Sequence, residues 1–333
     1  MVSVRTLDLT NEAEHWDRVV QRSPGANPFA SSAALKLLAA ETGTEVHALL
    51  GEVGEEPIGM FPVFVYRRGP IAASFSPPPY SWSCYLGPST VNLSKLKQRK
   101  AERRTKRFLE GCISWVTDTV APVYSRYVAA EFPDVRPFVW NGFDVEPGYT
   151  YVVDLSPENL LSRFSRDARQ NIRSAEAEAS TIEEGSRAAV ATIISQVAER
   201  YERQGKSFHL SPEFAQQLYD TLPDGTLRPY VCRVDGQIQG GILVVESERS
   251  IYRWQGGVRP SDPIDIPIND LLDWHVMCEG QSRGRQRYDL VGAGVQSINR
   301  YKAKFNPDLE PYYTITDGTF GLDRLVDRYR KLG

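Results

Sequence analysis

Residues 250–313 read SIYRWQGGVRPSDPIDIPINDLLDWHVMCEGQSRGRQRYDLVGAGVQSINRYKAKFNPDLEPYY, and this stretch decides the fold. Ile251, Arg253 and Gln255 alternate with Tyr252 and Trp254, the period of a strand with an aromatic pair on one face. A loop rich in proline and aspartate follows, and a helix is predicted from Pro267, with Asp265 available as its cap. Ile268, Leu271, Leu272 and Val276 fall at helical spacing, so one face of that helix is buried. Gly280 and Gly284 bracket its end, where Arg283, Arg285 and Arg287 suit the negative pole of the helix. A short apolar strand over 288–291 carries Asp289 into Gly292-Ala293-Gly294. The segment closes on Tyr301-Lys302-Ala303-Lys304-Phe305.

Upstream, two strands over 229–234 and 238–246 flank Asp235-Gly236, a strong local hairpin signal, and with the strand at Ile251 they form an antiparallel meander. Helices are expected over 188–203 and 213–222, the second capped by Ser211-Pro212. A strand over 149–155 precedes a helix expected to start at Ser156, with Pro157 in its first turn and an apolar stripe through Leu160, Phe164, Ala168 and Ile172. Arg166, Arg169 and Arg173 share one face of that helix.

The first half repeats this order. Helices are expected over 12–21, capped by Asn11, and over 32–41; a hairpin joins 46–53 to 58–66, with Pro62 marking an edge position or a bulge. Pro77-Pro78-Pro79, set among Phe75, Tyr80 and Trp82, form a stiff aromatic loop that either lines a cleft or packs as a surface crossing. The basic run from Lys95 to Arg107 leads into a helix and is either a solvated face or a phosphate contact. The order helix, helix, hairpin, loop, helix, strand therefore occurs twice. It implies an α/β (α+β) chain of two domains, 1–148 and 149–315, with a last helix over 322–332 inside the segment 316–333.

Composition excludes several classes. At 333 residues the chain has room for two domains, and 41% hydrophobic with 24% charged residues is ordinary for a globular protein. A net charge of −3 argues against wholesale coating of nucleic acid. No apolar run approaches a membrane span, and the start lacks a signal-peptide core, so a cytoplasmic protein without stable membrane insertion is expected. The four cysteines include no C-x-x-C pair and histidines number four, so no metal site is expected. Phosphate-loop, H-E-x-x-H and G-x-S-x-G signatures are absent, and Gly292-Ala293-Gly294 lacks the third glycine of a dinucleotide loop.

The order aromatic strand, asparagine-bearing helix, Tyr-Asp strand, glycine turn and Lys-x-x-Phe resembles the end of the acyltransferase domain in the Fem family. The matching residues are Tyr252, Gly256-Gly257, Pro267, Asn269, Trp274, Gly284, Tyr288-Asp289, Gly292, Lys302 and Phe305. Arg169-Gln170-Asn171-Ile172-Arg173 resembles an element that opens the second domain of that family. The resemblance covers nearly the whole chain and implies two tandem GNAT-like domains, with mixed, largely antiparallel sheets flanked by helices and a last helix returning to the first domain.

It further implies acyl or aminoacyl transfer to an amine by direct attack, with Lys302 stabilising the oxyanion. Asp289 either orients the acceptor amine or serves as a structural partner, because a carboxylate in an apolar strand needs one. Tyr252 and Trp254 would wall the acceptor pocket, Lys304 would touch donor phosphates, and Arg203, Arg169 and Arg173 would bind anionic substrate groups. The acceptor would be an amine-bearing small molecule or a cell-envelope precursor. Fem enzymes acting on muropeptides carry an acidic residue before a first-domain proline; here Phe132 precedes Pro133, and Glu131 would face the other side of a strand. The donor would be aminoacyl-tRNA or a coenzyme A thioester, with no bound cofactor. No [QR]-x-x-G-x-[GA] loop precedes Pro267, which favours aminoacyl-tRNA. A non-catalytic RNA- or precursor-binding protein on the same fold is the competing reading.

Overall fold

The computed structural model describes residues 1–132, 134–175, 180–257 and 266–318. The expected final helix, the loop over 258–265 and its candidate cap Asp265 lie outside the described residues. The chain divides into two units, Met1–Gly148 with Pro311–Gly333, and Tyr149–Glu310.

The first unit runs β1 (Val2–Leu7), α1 (Ala13–Arg22), α2 (Ser32–Thr42), β2 (Glu45–Val53), β3 (Glu56–Arg68), β4 (Ile71–Ser76), β5 (Ser89–Thr90), α3 (Gln98–Trp115), β6 (Tyr124–Ala130), α4 (Arg136–Trp140) and the start of β7 (Asp144–Asp154). β1 to β4 pair antiparallel in sequence order, and β6 then joins β4 in parallel. Gly51 and Gly59 oppose each other across β2 and β3, and the ring of Phe108 on α3 lies over both. A Cβ at Gly51 would fall 2.2 Å from that ring and one at Gly59 2.5 Å, so the two glycines are what let the helix approach the sheet. Pro62 sits where β3 lacks a neighbour on one side, between its pairing with β5 at Met60 and with β4 from Phe64, so its missing N–H leaves no ladder bond unmade there. In the proline loop Tyr80 and Trp82 take left-handed backbone angles, φ 62 and 53. The cap of α1 is Glu12 rather than Asn11, whose amide instead donates to Asp8.

In the second unit a 3₁₀ turn (Leu160–Arg163) and α5 (Arg166–Ala175) come first. Then follow β8 (Ser180–Glu184), α6 (Arg187–Arg203), α7 (Pro212–Thr221), β9 (Leu227–Val234), β10 (Gln237–Glu246), β11 (Ser250–Gly256), α8 (Ile268–Ser282), β12 (Arg287–Asp289), α9 (Gln296–Ala303) and the start of β13 (Asp308–Gly318), which continues into the first unit. The sheet order is β8-β9-β10-β11, all antiparallel, then β12 parallel to β11, then the end of β7 antiparallel to β12. The Asp235-Gly236 hairpin has the expected positive φ at both residues, 51 and 78.

Two expectations are corrected. The helix expected to run unbroken from Ser156 divides at Phe164–Ser165: the Ser165 N–H bonds the Lys304 carbonyl, and its hydroxyl receives the Ala168 N–H, which makes Ser165 the cap of α5. Residues 311–315, read as the end of the second domain, belong to the first unit. There β13 pairs antiparallel with β6 from Tyr312–Ala130 to Gly318–Tyr124.

Candidate active site

The second unit contains a place where its sheet opens. β11 and β12 pair in only three rows, from Ser250–Arg287 to Tyr252–Asp289. Beyond that row β11 stays with β10, through Leu243–Gln255 and Ile242–Gly256, and Gly257 N–H donates to the Gly241 carbonyl. The chain after β12 stays with β7: Leu290 N–H reaches the Tyr151 carbonyl and Ala293 N–H that of Tyr149. Two strands that part in this way leave a wedge between them.

Lys302 reaches this wedge from α9. Its Nζ donates to the carbonyls of Val291 at 2.9 Å and Gly292 at 2.6 Å. An ammonium has three N–H donors, so one remains for a ligand. Burial, and then the charge of Arg253, lower the Lys302 pKa to about 8, against the opposing pull of Asp289 and Asp273. The turn that receives Lys302 is itself constrained. Val291 is a β-branched residue at φ 50, a strained backbone position. Asp289 Oδ1 accepts the Val291 N–H at 2.7 Å and the Thr150 hydroxyl at 2.5 Å, and that hydroxyl in turn accepts the Gly292 N–H at 2.9 Å. Burial raises the Asp289 pKa to about 6, although both hydrogen bonds favour the carboxylate.

Behind Lys302 lies a second buried carboxylate, Asp273 of α8, fully shielded from solvent. Arg253 Nε donates to its Oδ1 at 2.8 Å and the Tyr288 hydroxyl to the same oxygen at 2.5 Å, while the Tyr301 hydroxyl donates to Oδ2. Burial alone would lower the Arg253 pKa, and the adjoining Asp273 more than offsets it, so the guanidinium stays charged. Burial and the same carboxylate push both tyrosines well up, and they remain phenols that donate. One turn earlier on α8, Asp270 accepts from Asn171 at 2.7 Å and from Lys304, whose Nζ also sits 4.2 Å from the Tyr301 ring centroid. Strand β11, helix α8, strand β12 and helix α9 are thus tied by buried charge at the mouth of the wedge.

Residues 162–303 match the family model described as an acetyltransferase (GNAT) domain, and every group of this cluster except Thr150 and Lys304 falls inside that span. Residues 162–303 are thus a GNAT acyltransferase domain, and the chain has a Fem-like fold. Among solved structures it resembles FemX, at 13% identity over 93% of this chain and 96% of that one, with a TM-score of 0.73. The C-terminal domain of a putative lysylphosphatidylglycerol synthetase from Agrobacterium fabrum is similar at 16% identity, covering 97% of each chain, with a TM-score of 0.58. A tandem GNAT protein from the clavulanic acid biosynthesis pathway is similar at 10% identity, covering 95% of this chain and 98% of that one, with a TM-score of 0.55. Among curated protein sequences nothing matches.

Within this GNAT domain the residues singled out from sequence separate into two groups. Lys302 and Asp289 meet at the 291–292 turn, and Tyr252 stands opposite Asp289 in the strand register. Tyr252 and Trp254 of β11 are both buried, 5% and 6% exposed. Lys304 is held by Asp270 rather than presented to solvent. Arg169 and Arg173 instead line, with Arg166, Gln170 and Ser174, an open groove of about 570 Å³ along α5. Arg203 is exposed at the end of α6 and donates to the Glu199 carbonyl; it is Arg200, one turn earlier, that reaches inward to the Gly257 carbonyl at 2.7 Å. In the first unit, Glu131 is not on a strand face: β6 ends at Ala130, and Glu131 at φ 50 lines a cavity of about 580 Å³ with Arg22, Lys95 and Arg136. Sequence reasoning missed Thr150, Arg253, Asp273 and Tyr301. Their only signal was charge or hydroxyl inside an otherwise apolar period.

Proposed function

We propose that the second unit transfers an aminoacyl or acyl group to an amine by direct attack, with Lys302 as the catalytic cation. The observation that carries this reading is the Lys302 ammonium, half-buried at the parting of β11 and β12, with two donors fixed on carbonyls and one left over. The amine nitrogen attacks the carbonyl carbon, and the oxyanion that develops meets the remaining Lys302 N–H. Collapse forms the amide and breaks the C–O bond of an aminoacyl ester, or the C–S bond of a thioester. The nitrogen releases its proton, and the departing oxygen or sulfur takes one up. Asp289, which ionises above about 6, holds the turn and, on this reading, accepts that proton from the nitrogen once the neutral amine has added to the carbonyl.

Aminoacyl-tRNA is the donor we favour. The groove of Arg166, Arg169 and Arg173 supplies clustered cations for phosphates, and one structural neighbour is the C-terminal domain of a protein named as a lysylphosphatidylglycerol synthetase. Both donor classes are cytoplasmic, and we place the reaction there. The acceptor is an amine, either a small molecule or a cell-envelope precursor. The test is transfer of labelled amino acid from charged tRNA to a panel of amine acceptors, with an acyl-coenzyme A as the alternative donor. Amide product from charged tRNA, unaffected by excess coenzyme A, supports the favoured donor. Product from the thioester alone assigns the thioester, and neither product on any acceptor overturns the enzymatic reading.

A further inference from the structure

The first unit carries a surface that acyl transfer does not use. From Lys95 to Glu110 the chain holds eight cations and two acids, within a protein of net charge −3. On α3, Thr105, Phe108, Leu109, Cys112 and Ile113 are buried. With 3.6 residues per turn, Lys100, Arg103 and Arg107 point the opposite way, and Arg99 and Lys106 form one flank. All five are exposed. Nearby ion pairs hold Arg104 to Glu56, Lys106 to Glu110, and Arg136 to Asp134 and Glu102. Among the described residues Arg99, Lys100, Arg103 and Arg107 have no such partner.

Beside the Lys106 flank stands Trp140, the last residue of α4, with 57% of its surface exposed, and Val139 before it is 53% exposed. A solvated indole of this size is uncommon on a monomer surface. Lys106 Nζ lies 5.4 Å from the indole centroid and Arg136 Cζ 5.5 Å from it. The cationic stripe therefore ends in an apolar, aromatic corner.

We propose that this face docks the protein on an anionic lipid bilayer. The stripe from Arg99 to Arg107 is about 12 Å long at the rise of a helix, and it presents its charges in one line to a plane of headgroup phosphates. Trp140 and Val139 enter the interfacial zone, where indoles flanked by lysine and arginine are favoured. Nucleic acid fits less well. A base stacking on this indole would compete with the protein's own Lys106 and Arg136, which already stand against the ring. The contact is peripheral, since no described helix is long and apolar enough to cross a membrane.

The test is co-sedimentation of the full chain with phosphatidylcholine vesicles, with and without about one third phosphatidylglycerol, at low and high salt. Binding should require the anionic lipid and fall with salt. Each stripe cation should contribute about fivefold, so the double variant Arg103→Gln/Arg107→Gln should bind on the order of 25-fold more weakly. Trp140→Ala should weaken binding at both salt levels. These exposed changes should leave the unfolding midpoint and acyl transfer from a water-soluble donor as in the parent protein. Equal binding to both vesicle types, or none, overturns the proposal. So does tRNA affinity that falls with the same variants while vesicles stay unbound, a result that assigns the stripe to nucleic acid.

Discussion

In the first unit β4 and β6 stay paired through four rows, from Ala73–Tyr124 to Ser76–Tyr127, and the chain then returns so that Gly87 donates to the Val128 carbonyl. In the second, β11 and β12 part after three rows, and nothing comparable returns between them among the described residues. Gly87 can seat there only as glycine, for a Cβ would lie 2.8 Å from both the Ala129 Cβ and the Val128 carbonyl. The side chains differ accordingly. The closed pair buries a hydroxyl cluster, Ser74 bonded to Ser125 and Tyr127 at 2.8 Å each. The open pair is lined by Asp289, Lys302, Arg253 and Asp273. On the proposed function, the same element order serves as scaffold in one unit and as reaction site in the other. Where a ladder is complete, backbone groups satisfy one another; where it stops, side chains must, and charge collects there.

Breaking the charged cluster should cost far more than breaking its neutral counterpart. Asp273→Asn leaves the Arg253 guanidinium buried without its counter-ion, and denaturant unfolding should show a loss of about 3–5 kcal/mol. An unchanged midpoint would mean that solvent already reaches that pair.

The pH dependence of transfer comes next in size. On the proposed mechanism Lys302 acts as the cation, which it loses as pH rises through about 8, and Asp289 as the carboxylate, which it gains as pH rises through about 6. The profile of kcat/KM should therefore rise through the lower value and fall through the upper one, changing about tenfold per pH unit beyond each limb. Asp289→Asn should abolish the lower limb and keep the upper. A profile flat to pH 10 would remove Lys302 from the chemistry.

The smallest effect belongs to the closed pair. Ser74→Ala deletes two neutral hydrogen bonds and should cost about 2 kcal/mol, with no change in acyl transfer. A larger cost, or lost activity, would show that the first unit contributes more than a scaffold at this position.

Much of this contrast could be read in advance, and the unread part has a physical reason. Strand and helix periods, Asp235-Gly236 and Ser211-Pro212 carry local information, so the repeated element order was legible. Asp289 stood out because it interrupts an apolar strand just before a glycine turn, and Lys302 because it falls in the Lys-x-x-Phe element that resembles the Fem family. Arg253 and Asp273 did not, since each looks like the polar half of an amphipathic element until the fold places them 2.8 Å apart. The break before α5 depends on a bond from Ser165 to Lys304, far along the chain, that no local pattern encodes. The same holds for β13: its pairing with β6 joins residues nearly two hundred positions apart in the chain.

The measurement that bears most directly on the second unit as the reaction centre is single-turnover transfer by Lys302→Ala. The account predicts a rate about 10²–10³-fold below the parent, as for loss of an oxyanion donor, with donor binding and the unfolding midpoint retained. A variant that turns over at the parental rate would contradict it and place the chemistry elsewhere in the chain.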